Sequence, residues 1–161
     1  MAIDFKKLRS ALKELAQMPA PFEGGCLCGA VRYRCEAAPI WSGHCHCDSC
    51  KKLSGAPYTT AFTVKTETFR VLQGAMLTFA RGAESGHAVR TQRCKECGTW
   101  VWAERDSRAD FRAVLATTLD DMAALPIVGQ AYVSEASPWV TLDPNVTQFQ
   151  KMPEDELPPP R

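Results

Sequence analysis

Cysteine spacing constrains the fold of this chain more than any other feature of its sequence. Seven of the eight cysteines fall into three short groups within 161 residues. The groups are a C-x-C pair, a C-x-C-x-x-C triplet and a C-x-x-C pair, formed by Cys26 and Cys28, by Cys45, Cys47 and Cys50, and by Cys94 and Cys97. Intervals this short suit chelation of a metal ion far better than disulfide bridges. The spacing therefore predicts metal sites that join distant parts of the chain.

The first and last pairs together supply a complete set of four zinc ligands. Zinc prefers a tetrahedron of Cys or His, and structural sites commonly take the ligands from two chelating turns. Glycines flank both pairs, in "GGCLCG" and "CKECGTW", and they allow backbone N–H groups to turn toward the sulfurs. The alternative is that these are four unpaired thiols. This interpretation is weaker, because one domain contains two chelating pairs that are both flanked by glycine. We expect a structural zinc on Cys26, Cys28, Cys94 and Cys97.

The middle triplet offers three sulfurs and no obvious fourth ligand. In an extended C-x-C segment the two cysteines point to one side and His46 to the other, and Cys50 returns to the same metal through a chelating turn. Two interpretations remain open. The metal has an open corner that binds a substrate thiolate, or His44, Asp48, a distant thiol or a permanent water fills that corner and the site is structural.

Length and charge limit the class of protein. A chain of 161 residues suits one domain with its own core. The formal net charge of +1 gives no basic excess for nucleic acid. No apolar run is long enough for a bilayer, and the charged N-terminal segment lacks the pattern of a secretory signal. We expect a cytoplasmic protein without nucleic-acid or membrane partners, in which reduced cysteines bind metal.

Hydrophobic patterning predicts one helix followed by a mainly β body. Apolar residues recur at helical spacing over residues 4–17, with Asp4 as the N-cap and Ile3 placed to pack on Leu8. Residues 18–25 read as a linker. The alternation in "AVRYRCE" predicts that Cys35, outside the three groups, is a buried thiol. The predicted strands are 29–36, 57–64, 67–73, 76–80, 87–93, 99–104, 111–117 and 130–134, with a short helical turn or loop at 117–126.

Three segments of the chain resemble the glutathione-dependent formaldehyde-activating enzyme family, which includes the centromere protein V-like proteins. They are "GGCLCGAVRY", "CHCDSCKKLSGAPY" and "SGHAVRTQRCKECGTWVW". The likeness continues through "QGAMLTFARG" and "PIVGQAYVSEASPWVTLDPNVTQFQKMP", and it covers about residues 24–153. Arg93 departs from the pattern, because an aromatic residue usually precedes the last C-x-x-C. Gln130 stands near a position where the family commonly has His.

The resemblance implies a fold, two metals and an activity. The implied fold is mainly β, with small stacked antiparallel sheets around zinc sites, related to the methionine-R-sulfoxide reductases and extended here by the N-terminal helix. Two Zn²⁺ per chain are implied, a structural one on the two pairs and a catalytic one on Cys45, Cys47 and Cys50. The implied activity is the condensation of glutathione with formaldehyde to S-(hydroxymethyl)glutathione, which is classed as a carbon–sulfur lyase reaction.

The residues and the resemblance together predict the organisation of the chain and its function. We expect an amphipathic helix within residues 1–20, the zinc-binding domain over 24–153 and a flexible tail over 154–161. The predicted function is a zinc-dependent carbon–sulfur lyase that acts on the adduct of a glutathione-like thiol with formaldehyde or a related small electrophile. The two alternatives are a zinc-stabilised binding module without turnover and a zinc hydrolase that uses bound water. The candidate cations for substrate carboxylates are Lys51, Lys52, Arg90 and Arg93.

Overall fold

Two β-sheets and two α-helices make up the fold of the residues that the structure describes. The structure, a computed structural model, describes residues 3–83 and 86–153. The helices are α1 (Phe5–Leu15) and α2 (Asp48–Ser54). The strands are β1 (Phe22–Gly25), β2 (Arg32–Cys35), β3 (Trp41–Cys45), β4 (Thr59–Lys65), β5 (Phe69–Gln73), β6 (Met76–Gly82), β7 (Ala88–Cys94), β8 (Trp100–Arg105), β9 (Phe111–Leu115), β10 (Gly129–Ala131) and β11 (Thr147–Gln148). The prediction of a mainly β protein is confirmed.

Helix α1 forms where the sequence predicts it and ends two residues earlier. The Asp4 side chain accepts hydrogen bonds from the backbone N–H groups of Lys6 and Lys7, at 3.0 and 3.1 Å, which confirms it as the N-cap. Leu8 and Leu15 are buried in the core, while the basic residues remain on the outer side of the helix. No helix in residues 3–83 and 86–153 is long and apolar enough to cross a membrane.

The smaller sheet is antiparallel, in the order β1-β2-β5. Its middle strand has the predicted alternation, because Tyr33 and Cys35 are fully buried while Arg34 lies on the outer side. The prediction of a linker at residues 18–25 is wrong for the second half of that segment, which forms β1. Glycine is needed there because a Cβ on Gly24 would lie 2.3 Å from the Tyr33 hydroxyl, so β1 carries little of the apolar signal that marks a strand.

The larger sheet has eight strands in the order β11-β10-β3-β4-β9-β8-β7-β6. Its neighbours are antiparallel except that β10 runs parallel to both β3 and β11. Each of the eight predicted strands overlaps an observed one, although the last is shorter than predicted and passes into a 3-10 turn at Val133–Glu135. The core lies between the two sheets and α1, around residues such as Phe62, Trp102 and Phe149. Two 3-10 turns, Ala116–Thr118 and Met122–Ala124, confirm the predicted turn region.

Strand β3, strand β11 and helix α2 are absent from the sequence prediction. Strand β3 reads "WSGHC" and is small and polar, yet Ser42 and Gly43 are buried because β4 and β10 cover both of its edges. Strand β11 has only two residues. The tail predicted over residues 154–161 lies outside the described residues.

The Cys35 thiol provides a test of the core. Its side chain is fully buried, and burial, with a smaller effect of the neighbouring Glu36, raises its pKa to about 12. Replacement Cys35→Ser buries a polar hydroxyl in place of the thiol. We expect it to lower the free energy of unfolding by about 1–3 kcal/mol. Cys35→Ala should cost less, since it buries no polar group. Denaturant unfolding measures both, and equal losses in the two variants would contradict the buried environment.

Candidate metal centres

The first cluster brings together four thiols from two turns that are 66 residues apart in the chain. Cys26 and Cys28 lie in the turn between β1 and β2, while Cys94 ends β7 and Cys97 lies in the turn before β8. The Sγ atoms of Cys26 and Cys28 are 3.5 Å apart, and those of Cys28 and Cys94 are 3.9 Å apart. All four sulfurs lie within 4.8 Å of one another. A tetrahedral zinc with bonds of about 2.3 Å needs sulfurs about 3.8 Å apart, so the arrangement fits zinc.

Glycine and backbone donors shape the two turns of this cluster as the sequence predicts. Gly29 and Gly98 have φ values of 76° and 73°, in the left-handed region where glycine is favoured. The Val31 N–H donates to the Cys26 Sγ at 3.2 Å. Hydrogen bonds from the hydroxyl and the backbone N–H of Thr99 lower the pKa of Cys97 to about 5. Both effects stabilise thiolates, the form of cysteine that binds a metal.

The second cluster is built at a junction between a strand and a helix. Cys45 ends β3, Cys47 is the N-cap of α2, and Cys50 lies in the first turn of that helix. The Cys50 N–H donates to the Cys47 Sγ at 3.4 Å, and the three sulfurs lie within 4.8 Å of one another. Strand β3 ends at Cys45, and Cys47 keeps an extended backbone with φ −62° and ψ 151°, in agreement with the predicted extended C-x-C. All three thiols are partly exposed to solvent. In the first cluster Cys26 and Cys94 are buried, Cys97 is partly exposed and Cys28 is exposed.

No fourth protein ligand joins the triplet in the part of the chain that the structure describes. The His44 Nδ1 lies 2.9 Å from the Thr60 hydroxyl, and Asp48 forms an ion pair with Lys51 at 2.8 Å. His46 is fully buried, with its ring centroid 5.1 Å from that of Tyr58. The three nearest candidates in sequence are thus placed elsewhere, and the triplet is a set of three sulfurs.

The charges of the three thiols show why a cation suits the site. The pKa of Cys47 falls to about 2 because Cys45 and Cys50 donate hydrogen bonds to its sulfur, with smaller effects that include the charge of Arg81. The same hydrogen bonds raise the pKa of Cys45. The Cys47 thiolate is thereby stabilised, while Cys45 becomes harder to deprotonate. A divalent ion that prefers sulfur would stabilise three thiolates together, and zinc fits this donor set.

The four candidate cations have different surroundings. Lys51 donates to the Glu135 backbone carbonyl at 2.6 Å and lies on α2 beside Lys52. The Arg93 Nη2 donates to the Leu53 carbonyl of α2 at 2.7 Å. Arg90 forms an ion pair with Asp106 instead. The structure therefore places three of the four at α2 and the fourth at a carboxylate on the β8–β9 connection.

An open cleft of ≈ 510 Å³ lies beside α2 but not directly over the thiols. Its lining includes Lys51, Lys52, Gly55 and the exposed Trp139. Lys52 follows Cys50 by two residues, which is about 200° around a helix, so Lys52 and Cys50 are on opposite sides of α2. The cleft is thus separated from the triplet by the helix.

Both departures from the family pattern make specific contacts. Besides its bond to α2, the Arg93 guanidinium lies 5.6 Å from the ring of Trp100. Gln130 is buried, and its Nε2 donates to the Asp143 carbonyl at 2.9 Å while its Oε1 accepts from the Asp143 N–H at 3.4 Å. These residues attach α2 and the segment around Asp143 to the larger sheet.

Sequence reasoning missed two features of this region. Helix α2 has the signals of a short helix, because the Cys47 side chain caps its start and Gly55, with a φ of 69°, ends it. Its N-terminus is also held by Glu135, whose carboxylate accepts from the Asp48 N–H at 2.9 Å. The second feature is Arg81, whose charge makes a small contribution to the lowered pKa of Cys47 and which has no signal in the sequence.

Comparison with known proteins identifies a family and solved structures of similar fold. The family model described as glutathione-dependent formaldehyde-activating enzyme matches residues 21–135. A crystal structure of a Rhodobacter sphaeroides protein from a structural genomics programme has a similar fold, with a TM-score of 0.50 and 23% identity over 61% of this chain and 87% of that one. The curated proteins include no significant match.

The two clusters should respond differently to loss of a ligand. Cys94→Ser removes a buried ligand of the cluster that links the smaller sheet to the larger one. We expect this variant to lose one zinc. We also expect its melting temperature to fall by many degrees, because a structural zinc contributes directly to folding. Cys50→Ser should lose the other zinc with a much smaller fall, since its cluster lies within one strand–helix junction. Metal analysis and thermal unfolding measure both changes. Equal destabilisation would contradict the assignment of only the first cluster as structural.

Proposed function

Because the chain belongs to the glutathione-dependent formaldehyde-activating enzyme family, we propose that it is a zinc-dependent carbon–sulfur lyase acting on a thiol and formaldehyde or a related small electrophile. Glutathione is the proposed thiol and the cytoplasm the proposed location. One observation carries the proposal: the triplet of Cys45, Cys47 and Cys50 is partly exposed and has no fourth protein ligand among the described residues. Three sulfurs leave one corner of a tetrahedron for a substrate.

The proposed reaction is an addition to a carbonyl group. The substrate thiol loses its proton, its sulfur forms a bond to the carbonyl carbon, and the carbonyl oxygen gains a proton, so that no atom is lost overall. The reverse reaction breaks the same carbon–sulfur bond. Zinc, when bound, would lower the pKa of a coordinated substrate thiol and orient it.

The chain's own residues hold this site in place. The Cys50 N–H fixes the Cys47 sulfur, and Arg93 and Glu135 hold α2 at opposite ends. Thr59 lies beside Cys45 on the neighbouring strand and is buried, so the triplet is backed by the sheet on one side. A substrate would approach from the exposed side of the sulfurs.

Replacement of Cys47 tests the catalytic role of the triplet. We expect Cys47→Ser to lose one of two zinc ions and to reduce turnover to the uncatalysed background, while the protein stays folded. Thiols add to formaldehyde without help, so the assay must be compared with the rate in the absence of protein. Cys35→Ala is the matched control, because it alters a cysteine outside both clusters and should keep both metals. Turnover above background after loss of the second zinc would contradict the proposal.

A zinc-stabilised binding module without turnover is the second candidate. It is favoured by the cleft at Trp139, which is exposed by 75% and lies apart from the thiols. Exposed tryptophan beside an open cleft is typical of surfaces that bind a partner.

A thiol titration separates the two candidates. In the protein with cobalt in place of zinc, a thiolate that joins the metal changes its visible and near-ultraviolet absorption. For the enzyme we expect glutathione to change the spectrum of one cobalt and to leave the other unchanged, because only the triplet has room for a fourth sulfur. Cys47→Ser should abolish the change. A spectrum that no thiol alters would favour the binding module.

A further inference from the structure

Strand β6 stands at one edge of the larger sheet and is the most exposed strand in it. Among the described residues only β7 pairs with it. Its seven residues include neither Pro nor Lys, the residues that commonly protect a sheet edge, and its four central residues are exposed on both faces. The opposite edge is β11, which has only two residues. Strand β6 is thus a long edge of the kind that pairs with another strand.

Hairpin hydrogen bonds show which backbone groups of β6 point away from β7. The Ala83 N–H donates to the His87 carbonyl at 2.9 Å, and the Lys95 N–H donates to the Ala75 carbonyl at 3.0 Å. Hydrogen-bonded pairs alternate along an antiparallel ladder, so the odd-numbered residues of β6 are bonded to β7 and the even-numbered ones face outward. The outward residues are Met76, Thr78, Ala80 and Gly82.

The outward backbone groups at the centre of the strand are unsatisfied by the chain itself. In residues 3–83 and 86–153 no group is hydrogen-bonded to the outward N–H and C=O groups of Thr78 and Ala80. The Gly82 carbonyl accepts from the side chain of its neighbour Arg81 at 3.1 Å. A partner strand would therefore find a row of free donors and acceptors.

Apolar side chains are concentrated beside this edge. Phe79 is 54% exposed and Leu77 is 42% exposed, and Val71 and Leu72 of the preceding strand β5 are exposed as well. Four of the nine large apolar residues that are exposed in the described part of the chain thus fall within residues 71–79. Such a concentration next to an open edge is typical of a surface that binds a partner.

Strand β6 is complementary to a second copy of itself. Two copies that pair antiparallel about a two-fold axis at Phe79 use the whole length of the strand. The opposite residues are then Met76 with Gly82, Leu77 with Arg81, and Thr78 with Ala80. This register makes hydrogen-bonded pairs of the even-numbered residues, whose backbone groups are the outward ones.

The same register brings compatible side chains together. Phe79 is opposite Phe79 of the second copy in a non-hydrogen-bonded pair, where the side chains are closest and an aromatic pair is stabilising. Arg81 is opposite Leu77, which its aliphatic stem covers. The two Arg81 side chains are about 14 Å apart along the paired strands, beyond the screening length of about 8 Å at physiological salt. No like charges are therefore opposed.

We propose that β6 is the interface of a homodimer, in which two copies pair antiparallel about an axis at Phe79 and their larger sheets join into one. The second copy is the partner because the outward backbone groups, the apolar residues and the charges of the strand match the same strand. Each side contributes seven residues, fewer than the roughly 20–30 of a standard interface, so we expect a dissociation constant in the micromolar range.

Opposite charges at position 79 test the proposed axis. Phe79→Lys places two ammonium groups across the axis and Phe79→Glu two carboxylates, so each variant alone should dimerise roughly 10- to 100-fold more weakly than wild type. An equimolar mixture should form heterodimers, because an ammonium group then faces a carboxylate. Sedimentation velocity from about 1 to 100 µM chain follows the change in mass. Ile40→Lys, at an apolar residue that is also 42% exposed, is the matched control and should dimerise as wild type does.

A backbone variant tests the pairing of the strands. Ala80→Pro removes an outward N–H and no hydrogen bond to β7, so it should weaken the dimer and leave the fold intact. Circular dichroism checks that each variant is folded. Wild-type protein that stays monomeric over the whole range would overturn the proposal. A dimer that persists in Phe79→Lys, or a mixture of the two charged variants that stays monomeric, would also overturn it.

Discussion

The four-thiol cluster is the constraint on which the rest of the structure depends. Its sulfurs come from a turn of the smaller sheet and a turn of the larger sheet, and they lie within 4.8 Å of one another. Four sulfurs this close cannot all carry charge without a cation between them. A metal at this point therefore fixes the relative position of the two sheets, and the core between them is formed around that junction.

The triplet has a different relation to the fold. Its three sulfurs come from six consecutive residues, so a metal there joins the end of β3 to the start of α2 and no more distant segment. The position of α2 depends instead on Arg93 at one end and Glu135 at the other. These contacts hold the helix that carries Cys47 and Cys50 next to the end of β3, where the three thiols are partly exposed.

The larger sheet holds the region of the triplet through two of its strands. Thr59 of β4 lies beside Cys45, and Arg93 of β7 donates to the Leu53 carbonyl of α2. The open cleft at Trp139 is lined by other residues of α2 and by none of the three cysteines. The cleft and the cluster of sulfurs are therefore separate features of the surface.

The sequence by itself determined the grouping of the thiols into two clusters and much of the fold. Chelating intervals and flanking glycines are local properties, so the two clusters could be grouped correctly from spacing, and alternation placed Cys35 in the core. Strands β1 and β3 were not predictable, since their small residues are strands only because neighbouring strands cover them. Tertiary structure alone decided that His44, His46 and Asp48 lie apart from the triplet sulfurs. It also decided that Arg93 is hydrogen-bonded to α2 while Arg90 pairs with Asp106. Those outcomes depend on the register of eight strands, which arises from contacts between residues far apart in the chain.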